Sequence, residues 1–129
     1  MDLNAELEPL TVYSYKVSPA MDSLVRHVLK TIPDCYTEEF PSFSVFETYN
    51  RFGAHCEPEG NIFCDPSLLN LPRDVATGTL AHEFAHLFLR HTGEGGLHDE
   101  HEADALACRW GFEKEIEALR EHFGPPTEQ

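Results

Sequence analysis

His82 and His86 stand four residues apart in "TLAHEFAHLFLRH", residues 79 to 91, with Glu83 between them. Residues at that interval stack on one face of an α-helix, so both imidazoles can aim a ring nitrogen at one ion about 2.1 Å from each. The pattern therefore demands a helix here, with a polar edge turned toward a second ligand-bearing element. The surrounding residues agree: from Asp74 onward Val75, Leu80, Phe84, Leu87 and Phe88 make a broad apolar face, and the glycines of "HTGEGG" end it. Glu83 lies roughly 100° round the helix from His82, off the ligand line but placed for a water on the metal. This is the H-E-x-x-H spacing of zinc hydrolases, in which the glutamate takes a proton from water.

A catalytic zinc takes three protein ligands and leaves a fourth position open. The candidates downstream are His91, His98, Glu100, His101, Glu102 and Asp104. His91, five residues after His86 on the same helix, is turned about 140° from it and is a poor ligand. A metzincin needs glycine at 89 and histidine at 92, and the chain has Leu89 and Thr92, which excludes that class. The run "EHEADALA" answers better. Glu100 and Asp104 are one turn apart, so a helix packed on the first can offer Glu100 to zinc while Asp104 receives the spare N–H of a ligand histidine. Ala103 and Ala107 are small enough for close approach, and Glu102 reads as a solvated carboxylate at the helix start. Donors for a transition-state oxyanion are sought in His98, His101 and Tyr49. His27 and His55 read as surface residues.

The whole chain bounds these readings. At 129 residues it is expected to form a single domain, with tails at about 1–9 and 124–129. Its 23 acidic against 9 basic residues, a formal charge of -14, disfavour nucleic acid as a direct partner. No run approaches the roughly 20 apolar residues of a membrane span. The start, "MDLNAELEPL", is acidic where a secretory signal is basic and then apolar, and the four cysteines show no C-x-x-C spacing. A cytoplasmic protein with reduced thiols is the expectation, Cys56 and Cys64 being neighbours in a sheet rather than a disulfide.

Ser18 and Pro19 open an amphipathic helix carrying Met21, Leu24, Val25, Val28, Leu29 and Ile32 and ending before Pro33. "FSVFETY" and the flanks of "HCEPEGNIFC" read as a three-stranded antiparallel sheet or meander turning at Pro58-Glu59-Gly60, with His55 on its middle strand. "DPSLLNLPRD" reads as a loop. A further helix starts near Asp99, and Gly111 interrupts it before a last amphipathic helix, Phe112 to Phe123. The class is α+β, a small antiparallel sheet packed with an active-site helix and a second ligand-bearing helix.

With T-L-A-H-E-x-x-H and E-x-E-A-D-x-x-A both present, about a third of the chain resembles the gluzincin metallopeptidases, in particular the ImmA/IrrE-type enzymes and the minigluzincins. That resemblance implies a minimal zincin-like fold and a zinc endopeptidase acting on a peptide or protein. It makes His82, His86 and Glu100 the zinc ligands, Glu83 the general base and Asp104 the residue that orients a ligand histidine. The alternative is a zinc-binding regulatory or interaction domain of the same fold with little or no peptidase activity.

Overall fold

The computed structural model describes residues 17–49, 53–92 and 94–126. The expected tail at 1–9, and residues 127–129 of the one expected at 124–129, lie outside the described residues. Helix α1, Pro19–Thr31, begins where the sequence sets it: the Ser18 hydroxyl accepts from the Met21 N–H at 3.2 Å, and Pro19 occupies the first turn. Its apolar stripe, Met21, Leu24, Val25, Val28 and Leu29, is buried, and Ile32 turns extended ahead of Pro33. His27 is exposed, as expected. A single helical turn, α2, Asp34–Thr37, follows.

Strands β1 (Ser44–Glu47), β2 (Ala54–Cys56) and β3 (Asn61–Cys64) form a sheet in the order β1-β3-β2. The sheet is mixed rather than antiparallel: β2 and β3 make the expected hairpin, but β1 pairs with β3 in parallel, Val45 opposite Ile62. Residue propensity marks where strands occur. Which strand neighbours which is set by the core, where Val45 and Ile62 are fully buried side by side, while Phe46 and Phe63 stack at 5.4 Å between centroids. The consequence for the site is that β2, not the middle strand of a meander, is an edge. The hairpin closes as its residues dictate, the Gly60 N–H bonding the Glu57 carbonyl at 2.9 Å with Gly60 at φ 101°. The expected loop contains a 3-10 turn, Pro66–Asn70, capped by Asp65 on the Ser67 N–H at 2.8 Å.

Helix α3, Arg73–Leu89, carries the histidine pair and is the hub of the fold. Every residue from Val75 to Ala85 is buried, because α1, β2, α4 and α5 pack round it. A helix covered on all sides is a core helix rather than an amphipathic surface one, so its polar residues need internal partners. α4, Leu97–Ala107, presents Ala103 and Ala107, both fully buried, to this hub. A π-helical turn, Cys108–Phe112, bends the chain at Gly111, φ 108°, into α5, Glu113–Phe123. Gly111 thus separates the two helices as expected. α5 buries Ile116 and Leu119 and closes on Gly78 of α3, where a Cβ would meet the Glu115 backbone. All four cysteines are free thiols. Among the described residues no helix is long and apolar enough to cross a membrane.

Candidate metal centre

Ligand-type atoms of three residues converge between α3 and α4. His82 Nε2 lies 3.0 Å from Glu100 Oε1, His86 Nε2 lies 3.1 Å from Glu100 Oε2, and the two Nε2 atoms are 3.1 Å apart. Tetrahedral ligands about 2.05 Å from zinc stand about 3.3 Å from one another, so this triangle is close to one face of such a site.

The proton inventory points the same way. His82 Nδ1 is 2.7 Å from Asp104 Oδ1, and Asp104 also receives Arg120 through Nε on Oδ2 and Nη2 on Oδ1, both at 2.8 Å. Burial raises the Asp104 pKa, but the bonds from His82 and Arg120 outweigh it and keep the group an acceptor. The ring proton of His82 therefore sits on Nδ1, which leaves a lone pair on Nε2 of the neutral ring. Burial likewise works against the Glu100 charge, yet His82 and His86 hold its carboxyl well below the usual carboxylate range. Acceptors brought this close require a cation between them, either protons or a metal. With protons alone, burial pulls the His82 pKa down while Asp104, Glu100 and the Glu83 charge raise it, to about 9. A metal ion in the same triangle would replace those protons, and the residues match a zinc site in type, number and spacing.

Glu83 is 8% exposed and lines the same cleft as His86 and Glu100. Burial raises its pKa, partly countered by the charges of His82, His86 and His55. A carboxylate made more basic by burial beside an open cleft has the properties of a general base. His55 and Cys56 of β2, Pro58 of the hairpin, and His91 and Asp99 complete the wall. The cleft continues past Glu57, Glu59 and Gly60 to Arg90. Burial pushes the Cys56 thiol far up and Cys64 to about 12, so without a metal both stay neutral thiols.

The structure thus brings together His82, Glu83, His86, Glu100 and Asp104. It does not bring in the three expected oxyanion donors. Tyr49 is 88% exposed, the His98 side chain is 77% exposed, and His101 is exposed. His98 and His101 sit on the outer side of α4, and none of the three lines the cleft. Three residues given no role in the site enter it instead: His55 on the cleft wall, Arg120 behind Asp104, and His91, whose Nδ1 is 2.9 Å from His86 Nδ1. Glu102, expected to be solvated, is half exposed and accepts from His91 Nε2 at 3.0 Å. His91 arrives because the helix stops before it. Arg90 takes the left-handed conformation at φ 56°, and the His91 N–H returns to the His86 carbonyl at 3.2 Å, a Schellman turn that folds residue 91 back over residue 86. No protein-family model matches this chain, and no curated protein and no solved structure matches it.

Proposed function

We propose that this protein is a zinc-dependent endopeptidase of the gluzincin type. The observation that carries the reading is the convergence of His82, His86 and Glu100 at 3.0–3.1 Å beside a buried Glu83 in one open cleft. A purely structural metal site has no use for a basic carboxylate beside its open position. When bound, zinc supplies Lewis acidity at the position the three protein ligands leave free. Glu83 takes a proton from the attacking water as its oxygen bonds the peptide carbonyl carbon. The same carboxyl then delivers that proton to the amine nitrogen as the C–N bond breaks. His55 lines the cleft and faces the Glu83 charge from β2, the side from which an imidazole could donate to the oxyanion.

The substrate follows from the walls. β2 is an edge strand beside the cleft, and an extended peptide pairs with such an edge through its backbone, with little demand on sequence. Glu57, Glu59, Glu83, Asp99 and Glu100 make the lining acidic, which favours basic or uncharged segments. Four free thiols support a cytoplasmic setting.

Glu83→Gln tests the reading. The variant is expected to keep one zinc per chain by mass spectrometry while hydrolysis of a peptide library falls about 10²–10⁴-fold. Equal hydrolysis by the variant refutes Glu83 as base. A zinc-loaded wild type that cleaves nothing moves the protein to the alternative, a zinc-binding regulatory domain.

A further inference from the structure

Asp104 settles the tautomer of one ligand histidine; the other, His86, has no carboxylate on its Nδ1 but a second imidazole. We propose that His91, held by Asp99 and Glu102, is the positioning residue that fixes the proton of His86 on Nδ1 and so frees its Nε2 for the metal. The proposal rests on the zinc reading above.

Proton bookkeeping carries it. For His86 Nε2 to be a ligand atom, the neutral ring must keep its proton on Nδ1. Nδ1 is 2.9 Å from His91 Nδ1, and two nitrogens at that distance share one proton, so His91 Nδ1 is the acceptor. The proton of His91 is then on Nε2, and acceptors wait there: Glu102 Oε1 at 3.0 Å and Asp99 Oδ1 at 3.5 Å. Asp99 is itself fixed, its Oδ2 accepting the Gly95 N–H at 3.1 Å, and a Cβ on Gly95 would collide with its carboxylate. The His91 and Asp99 side chains are only 11% and 12% exposed, so water competes for this chain of bonds mainly at its outer end, where Glu102 is half exposed.

The same bookkeeping decides a second question. His91, Asp99 and Glu102 place ligand atoms near enough to one another to hold a cation of their own. A cation on His91 Nε2 would move the His91 proton to Nδ1, which forces the proton of His86 onto Nε2 and removes the lone pair needed in the first site. The two trios exclude one another, and the protein takes one ion, with the second trio serving as proton holder.

His91→Leu and His91→Asn test this. Asparagine keeps an acceptor where Nδ1 stood; leucine does not. Zinc affinity by chelator competition is expected to fall about 10–100-fold in the leucine variant and to stay close to wild type in the asparagine variant. The chelated proteins should share one melting temperature, which separates positioning from folding. Nitrogen NMR on the zinc-loaded wild type reads the tautomer without any mutation, and the proton is expected on His86 Nδ1. Equal affinity in the leucine variant, a proton on His86 Nε2, or a second zinc bound without loss of the first overturns the proposal. In each case wild type still holds zinc, whereas a wild type that takes no zinc overturns the metal reading and this one with it.

Discussion

Gly78→Ala is a substitution that helix propensity favours and this fold opposes. Replacing a helix-interior glycine by alanine stabilises a helix by about 1 kcal/mol. At position 78, however, the added Cβ would overlap the Glu115 carbonyl oxygen and stand 2.8 Å from its carbonyl carbon. Carbon atoms in ordinary contact are about 3.5 Å apart, so α5 must retreat by about 0.7 Å. The obstacle is backbone, which cannot rotate aside as a side chain can. Overpacking of that kind costs about 2–3 kcal/mol at the upper end of its range, leaving a net loss of about 1–2 kcal/mol. For a chain of this length that is a fall of about 4–8 °C in melting temperature. The retreat carries Arg120 with it, since that residue lies on the same helix and holds both oxygens of Asp104. Thermal denaturation and zinc competition on one sample therefore both respond: a lower melting temperature and weaker metal binding. A variant that melts at or above the wild-type temperature refutes the close α3–α5 contact and the reasoning built on it.

Three further outcomes are expected. Asp104→Asn weakens zinc binding about 10–100-fold by chelator competition, because the amide no longer attracts the Nδ1 proton of His82 as a carboxylate does. The chelated protein loses stability as pH rises from about 6.5 through about 9, because the folded-state pKa of His82 is raised; its contribution is complete below the lower value and gone above the higher. Glu100 and Asp104, held low, lose theirs as pH falls through their folded-state values, and zinc removes the alkaline slope by taking the place of the proton, so the loaded and chelated melting curves separate toward pH 9. Arg90→Gly raises the melting temperature by about 2–4 °C, since the left-handed conformation costs a non-glycine residue about 1–2 kcal/mol and glycine gives back only part of that as chain entropy.

What the sequence carried was the information that is local. The period of Met21 through Leu29, the Ser18 cap and the Pro58–Gly60 turn each act within a few residues, and each structure forms where those residues place it. The residues of the candidate metal centre were readable for the same reason, being two pairs at helical spacing, His82 with His86 and Glu100 with Asp104. What was hidden depends on long-range packing or on one unusual backbone angle. Nothing near Arg120 marks it as the partner of a carboxylate sixteen residues earlier. His55 reads as a surface residue because it stands alone in its strand, and only the packing of β2 beside the cleft brings it to the site. His91 was set aside by a helical rotation that stops applying at Arg90, a position where glycine would have announced the turn and arginine does not.

Trp110, the single tryptophan, sits in the π-helical turn between α4 and α5, 3% exposed, with Tyr36 and Phe40 within 6 Å between ring centroids. Its indole N–H has no hydrogen-bond partner among the described residues. Indole emission depends on the polarity around the ring, so this chain carries a built-in optical reporter in an apolar pocket. The light it gives follows the closing of the helices on one another, while the triangle of His82, His86 and Glu100 is built from other side chains. Under the proposed zinc reading, emptying the metal centre and opening the core would therefore be two events with separate signals, and the protein could be watched losing one while keeping the other.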